Sequence, residues 1–128
     1  MKLSIITVCF NSEKTLQRTI NSVASQTYPD IEYIIIDGDS SDNTASLIKE
    51  NQSLINRWVS EPDEGIYDAM NKGIALATGD VIGFLNTDYT FFNENSVQDI
   101  VNAFSNNETD IVYTNLDYIN ENSKVIRN

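Results

Sequence analysis

Leu3-Ser4-Ile5-Ile6-Thr7-Val8-Cys9 and Ile31-Glu32-Tyr33-Ile34-Ile35-Ile36 are the runs that decide the fold. Both are short, almost continuously apolar and rich in β-branched side chains. A strand with one wet face alternates; a run without alternation predicts a strand covered on both faces, as in a parallel sheet flanked by helices. Between the two runs, Asn11 or Ser12 is placed to cap a helix with Leu16, Ile20, Val23 and Ala24 on one face. Tyr28-Pro29-Asp30 ends that helix.

The same rhythm continues downstream. Ala45, Leu47 and Ile48 suggest a short second helix, and Arg57–Ser60 a third strand. Residues 66–77 read as a helix with Ile66, Met70, Gly73, Ile74 and Ala77 on one side, Gly73 permitting close packing on the sheet. Gly79 is expected as a left-handed residue after it. Residues 81–85 (VIGFL) read as a fourth buried strand and residues 110–116 (DIVYTNL) as a fifth. Val97, Ile100, Val101 and Phe104 line a helix between them. Strand and helix alternate without repeat or linker, which predicts an α/β fold with a mostly parallel, helix-flanked, Rossmann-like sheet.

Composition narrows the function. The chain has 128 residues, enough for one domain, and 41% of them are hydrophobic. Nineteen Asp and Glu face eight Lys and Arg, a net charge of −11. Such a surface repels nucleic acid and anionic lipid. A nucleoside diphosphate is also an anion, so binding one calls for a divalent cation between carboxylates and phosphate. The sole cysteine, Cys9, excludes an intrachain disulfide, and the absence of histidine excludes His-based catalysis and His-ligated zinc. No apolar run is long enough to span a bilayer, and the N-terminus shows no signal-peptide pattern, which makes a cytoplasmic setting the expectation.

In parallel sheets ligands bind beyond the carboxyl ends of the strands. The polar segments there are Phe10-Asn11-Ser12, Asp37-Gly38-Asp39, Glu61-Pro62-Asp63-Glu64 and Asn86-Thr87-Asp88. Asp37 ends a buried strand, where a carboxylate can accept hydrogen bonds from a base or a ribose hydroxyl; the plainer role is a helix cap, which Asp42 or Asn43 fits better. Asp39 reads equally as turn former or ligand. Asp63 lies in a Pro- and Gly-bounded turn, which could itself account for it. Asp88 suits a hard divalent cation, against an ordinary Asx-turn. Lys72 reads as a solvated charge. No G-x-G-x-x-G follows the first strand and no P-loop is present. The run from Asp37 lacks a calcium loop's glycine at its sixth position, Asp42, and its glutamate at the twelfth, Ile48.

Five segments in order resemble glycosyltransferase family 2, the inverting family with the GT-A fold. They are Ser4 to Asn11 (SIITVCFN), Ile36 to Thr44 (IDGDSSDNT), Ser60 to Gly73 (SEPDEGIYDAMNKG), Ala77 to Asp80 (ATGD) and Leu85 to Asp88 (LNTD). The third is the most specific and resembles the branch that makes bacterial surface polysaccharides. The resemblance implies transfer of a sugar from a nucleotide-diphosphate sugar, usually a UDP-sugar, to a glycan or lipid-linked acceptor. It implies that Thr7, Val8, Phe10 and Asn11 line the nucleotide pocket and that Asp37 binds the base. Asp39, Asp63, Asn71, Asn86 and Thr87 are carried over as further nucleotide-sugar contacts. Asp88 matches the last aspartate of the D-x-D motif and would hold Mn²⁺ or Mg²⁺. Two departures stand out: the family often has Asp where this chain has Asn86, and Asp where it has Tyr89.

The resemblance assigns residues 1–117 to the nucleotide-sugar-binding domain and 118–128 to a tail leading to an acceptor-binding half. The general base is expected in that half, beyond residue 128, so this chain is expected to bind donor with little or no transfer. The expected working place is the cytoplasm, with its membrane face left open, and a homodimer through an exposed sheet edge stays open too. Two other readings are kept: a non-catalytic donor-binding or scaffold module, and a phosphatase resembling the haloacid dehalogenases with Asp37 as nucleophile.

Overall fold

The computed structural model describes residues 1–106, 108–119 and 125–127. By its contacts the chain divides into two units, Met1–Gln98 and Asp99–Asn128. In the first, β1 (Leu3–Cys9), β2 (Ile31–Asp37), β3 (Arg57–Ser60) and β4 (Val81–Phe84) form one sheet in the order β3-β2-β1-β4. All three pairings are parallel. The expected fold class is therefore the observed one. β1 and β2 pair along their whole length, Leu3 with Ile31 through Cys9 with Asp37. Every residue of β1 is buried, because helices cover both faces of the central strands.

The connecting helices are α1 (Leu16–Ala24), α2 (Thr44–Glu50) and α3 (Ile66–Leu76). α1 buries Leu16, Thr19, Ile20 and Val23, an i, i+3, i+4, i+7 stripe. Ala24 is exposed, and Thr19 holds the place expected for it. α3 buries Ala69 and Gly73. Ala69 packs with Ile6, Val8, Ile34 and Ile36. A Cβ on Gly73 would stand 2.5 Å from Ile6 Cγ2, so only glycine lets the helix lie this close. Ile66 and Ile74, expected on the packed side, are 49% and 43% exposed.

Three further expectations are corrected. β4 is an edge strand, not a buried one: Ile82 and Phe84 are 39% and 41% exposed because its outer side has no partner among the described residues. Gly79 is not left-handed, since Gly65 is the one glycine with positive φ among the described residues. It is small because a Cβ there would meet Ser4 Oγ at 2.6 Å and Lys2 O at 2.8 Å. The fifth strand is absent from residues 110–116, where no ladder forms. Ile111 and Tyr113 are 79% and 90% exposed, and an apolar run without a neighbouring strand has nothing to complete its backbone hydrogen bonds. The second unit contains instead β5 (Tyr118–Ile119), paired antiparallel with β6 (Val125–Arg127). α4 (Ser96–Asn106) carries the chain from the first unit into the second.

The amino end of the sheet is fastened by Glu32, which is 4% exposed. Its carboxylate accepts from Ser4 Oγ at 2.7 Å, Thr78 N at 2.8 Å and Thr78 Oγ1 at 2.7 Å, with Lys2 Nζ at 3.5 Å. Burial alone would push this carboxyl up. The Thr78 and Ser4 hydrogen bonds and the Lys2 charge more than reverse that and hold it at about 2, against an ordinary 4.5. A depressed folded-state value stabilises above the unfolded value, and that stability drains as pH falls from about 4.5 toward 2. The contribution is about 3 kcal/mol. Urea unfolding of wild type and Glu32→Gln should show a stability gap at pH 6 that narrows by about that amount at pH 2; a gap independent of pH would refute the assignment.

Candidate functional site

A cleft of about 760 Å³ opens at the carboxyl ends of the strands. Val8, Cys9 and Phe10 come from the end of β1, and Gly38 from the end of β2. Asp63, Gly65, Ile66 and Ala69 come from the loop after β3 and the start of α3. Asn86, Thr87 and Asp88 follow β4. The order β3-β2-β1-β4 reverses between β1 and β4, and the crevice at such a switch point is where open α/β sheets receive ligands.

The wall after β4 is a tight turn. Tyr89 N–H donates to Asn86 O at 3.0 Å, which lifts Asp88 out of the strand direction. The Asp88 side chain receives no hydrogen bond and no ion pair from the described residues, so its carboxylate is open to a ligand. Asn86 Oδ1, in the same wall, is buried without a hydrogen-bond partner among the described residues. The Thr19 hydroxyl of α1 reaches this turn, 2.8 Å from Thr87 O and 3.0 Å from Tyr89 O. Thr19 is fully buried, and sequence reasoning missed it. The signal was its place on the apolar stripe of α1: a hydroxyl in a buried row must bond to something.

The opposite wall is laced together by its own polar groups. Asn11 has φ +48° and Asp39 φ +64°, a region where Asn and Asp are the commonest non-glycine residues. Asn11 Oδ1 accepts Ser41 N–H at 2.9 Å, and Asn11 N–H donates to Ser40 Oγ at 2.8 Å. The Asp37 carboxylate is fully buried and takes Ser40 Oγ at 2.5 Å, Ser60 Oγ at 2.7 Å and Ser40 N–H at 3.1 Å. Cys9 Sγ lies 3.6 Å from Asp37 Oδ1. Burial and then the neighbouring Asp37 charge push the Cys9 thiol far up, which keeps it protonated and unreactive.

The loop after β3 is pinned from α3. Lys72 Nζ donates to Pro62 O at 2.9 Å and pairs with Glu61 Oε1 at 3.1 Å. Desolvation lowers the Lys72 ammonium, but the Glu61 hydrogen bond and charge outweigh it and raise the group overall. Asp63 Oδ1 accepts Gly65 N–H at 3.0 Å, and Gly65 takes φ +114°, a conformation natural to glycine.

Of the residues expected at the site, the structure brings Val8, Phe10, Asp63, Asn86, Thr87 and Asp88 to one cleft. Thr7 lies behind it, fully buried, with Oγ1 donating to Leu85 O at 2.6 Å. Asn11, Asp37 and Asp39 form the loops behind the wall, and Asn71 is exposed on α3. Among the described residues no group of three acidic, Cys or His side chains could hold a metal.

The family model "Glycosyl transferase family 2" matches residues 4–128, and the chain belongs to that family. The uncharacterized glycosyltransferase Rv1514c of Mycobacterium tuberculosis is 43% identical over 104 residues, 80% of this chain and 40% of that protein. The Escherichia coli UDP-Glc:alpha-D-GlcNAc-diphosphoundecaprenol beta-1,3-glucosyltransferase WfgD is 34% identical over 124 residues, 96% of this chain and 49% of that protein. The chain thus spans half or less of the length of these relatives. Among solved structures, S. aureus TarS 1-349 in complex with UDP is 26% identical with a TM-score of 0.76, covering 86% of this chain and 34% of that one. The mannosyltransferase PcManGT of Pyrobaculum calidifontis, solved with GDP-Man and Mn²⁺, shares the fold at 20% identity and a TM-score of 0.73, over 78% of this chain and 31% of that one.

Thr19→Val removes the hydroxyl that fastens the Asn86–Tyr89 turn without changing side-chain shape. It should cost about 1–2 kcal/mol in urea unfolding and speed amide hydrogen exchange at Tyr89, while Thr19→Ser, which keeps the hydroxyl, leaves that exchange near wild type. Equal exchange in all three proteins would show that the hydroxyl does not hold the turn.

Proposed function

We propose that this chain is the donor-binding part of a glycosyltransferase that moves a sugar from a nucleotide-diphosphate sugar, with UDP the nucleotide, to a glycan or lipid-linked acceptor with inversion. The setting would be bacterial surface polysaccharide synthesis on the cytoplasmic side of the membrane. The observation that carries the reading is the cleft at the strand ends, where the turn after β4 places the unpartnered Asp88 carboxylate in a lining shared with Asp63 and Phe10. The names of WfgD, which includes UDP-Glc and a diphosphoundecaprenol acceptor, and of the UDP-bound TarS support it.

The donor set fits a hard divalent cation. Asp88 offers ionised oxygen, and one protein carboxylate is enough where phosphate oxygens complete the shell. Asp88 would hold Mn²⁺ or Mg²⁺, which when bound neutralises charge on the diphosphate. Phe10 and Ile66, 64% and 49% exposed in the cleft lining, would offer apolar surface to the base. In the reaction the acceptor oxygen bonds to the anomeric carbon from the face opposite the diphosphate. The anomeric carbon–oxygen bond to the diphosphate breaks, and the acceptor's proton passes to a general base. That base is proposed to lie beyond residue 128, so residues 1–128 alone bind donor with little or no transfer.

Calorimetric titration of UDP with and without Mn²⁺ tests this. Wild type should bind more tightly with Mn²⁺, and Asp88→Ala should lose about tenfold or more in the presence of the metal while binding as well as wild type or better without it. A folded wild type that binds no UDP, or an Asp88→Ala variant that keeps the metal dependence, would sink the proposal.

A further inference from the structure

We propose that Asp63, rather than Asp37, selects the nucleobase of the donor by accepting the ring N–H of a uracil-type base; this rests on the donor-binding reading above. A carboxylate has about four acceptor positions. Those of Asp37 face Ser40 Oγ, Ser40 N–H, Ser60 Oγ and the Cys9 thiol, and the side chain has no exposure. A base could reach it only by displacing the loop it holds. Asp63 lies in the cleft wall. Its Oδ1 is fixed by Gly65 N–H, and its Oδ2 receives no donor from the described residues.

Oδ2 is also placed rather than free to wander. It rests over Gly38, 2.7 Å from where a Cβ on that residue would sit. Glycine at position 38 therefore leaves room for the carboxylate of another loop. Lys72 holds the adjacent Pro62 carbonyl at 2.9 Å, and Glu64 N–H donates to Asp68 Oδ2 at 2.9 Å, so the backbone on both sides of Asp63 is fastened to α3. The apolar surfaces of Phe10 and Ile66 in the same cleft offer a face for a planar ring.

An ionised carboxylate only accepts. It pairs with a ring that presents N–H, as uracil does at N3 and guanine at N1. It opposes a ring that presents a lone pair there, as cytosine and adenine do. An amide in its place would donate as well and would abolish that distinction.

The experiment is titration of UDP, CDP, GDP and ADP, each with Mn²⁺, into wild type, Asp63→Asn and Gly38→Ala. Wild type should prefer UDP to CDP by about tenfold or more, and Asp63→Asn should lower that ratio by at least about tenfold, mainly by weakening UDP. Gly38→Ala, which pushes on Oδ2 from below, should lower the same ratio and carries the test if Asp63→Asn does not fold. GDP binding comparable to UDP would mean that the ring N–H is read without ring size, and supports the proposal; preference for UDP alone supports it and adds size selection. CDP or ADP binding as tightly as UDP in wild type, or a ratio unchanged in both variants, overturns it. If UDP binds with its Asp88-dependent metal requirement and only the ratio fails to respond, Asp63 loses this role and the donor site stands. If wild type binds no nucleotide, both fall.

Discussion

A carboxylate with no exposure must find its hydrogen bonds inside the protein, and Asp37 finds them in the loops that build the cleft. It ends β2, in register with Cys9 of β1 and Ser60 of β3, so it sits where three parallel strands stop together. Its bonds to Ser40 and Ser60 tie the loop after β2 to the end of β3. Ser40 in turn accepts Asn11 N–H, and Asn11 accepts Ser41 N–H, which brings in the loop after β1. Removing one partner of such a network leaves a buried charge under-satisfied, which costs far more than a surface bond. The acidic motif at the end of β2 is therefore first a scaffold, and the cleft wall in front of it inherits its rigidity.

That rigidity matters because the cleft is electrostatically hostile to its proposed ligand. The chain carries a net charge of −11, and the open side chains in the wall include Asp63 and Asp88. Lys72, the cation of α3, is already committed to Glu61 and Pro62. Bringing a diphosphate here without a cation would set like charges together. Asn86 bears on the same balance. As an amide it adds an acceptor oxygen to the wall without adding charge, which leaves Asp88 as the one ionised group on the turn after β4.

The parts of this structure legible in the sequence were those set by local pattern. The continuous apolar runs gave β1 and β2, and the strand-end rule led to Phe10, Asp63, Asn86 and Asp88, which share a cleft. What escaped was set by neighbours. Residues 110–116 have a strand's composition, but a strand is a relation between two segments, and among the described residues no second segment pairs with this one. Ile82 and Phe84 look like core residues and are half exposed because β4 ends the sheet. Thr19 was passed over because a hydroxyl inside an apolar stripe is legible only as an exception. The resemblance carried Thr7, Asn11 and Asp37 to the pocket; they lie just behind it, holding the residues that face it.

The glycines show why a motif read along the chain loses half its meaning. Gly73 makes room for Ile6, Gly79 for Ser4 and the Lys2 backbone, and Gly38 for the Asp63 carboxylate. None of the three needs positive φ. Each is small because something distant in sequence occupies the space its side chain would fill. For Gly38 the occupant is an ionisable group in the cleft, so the Asp37-Gly38-Asp39 segment and the Pro62-Asp63-Glu64 loop form one functional unit. A side chain at position 38 and a carboxylate at position 63 compete for the same volume, and a chain can change one freely only by changing the other. The two segments are thus constrained as a pair, by excluded volume, even though their own backbones never need to touch.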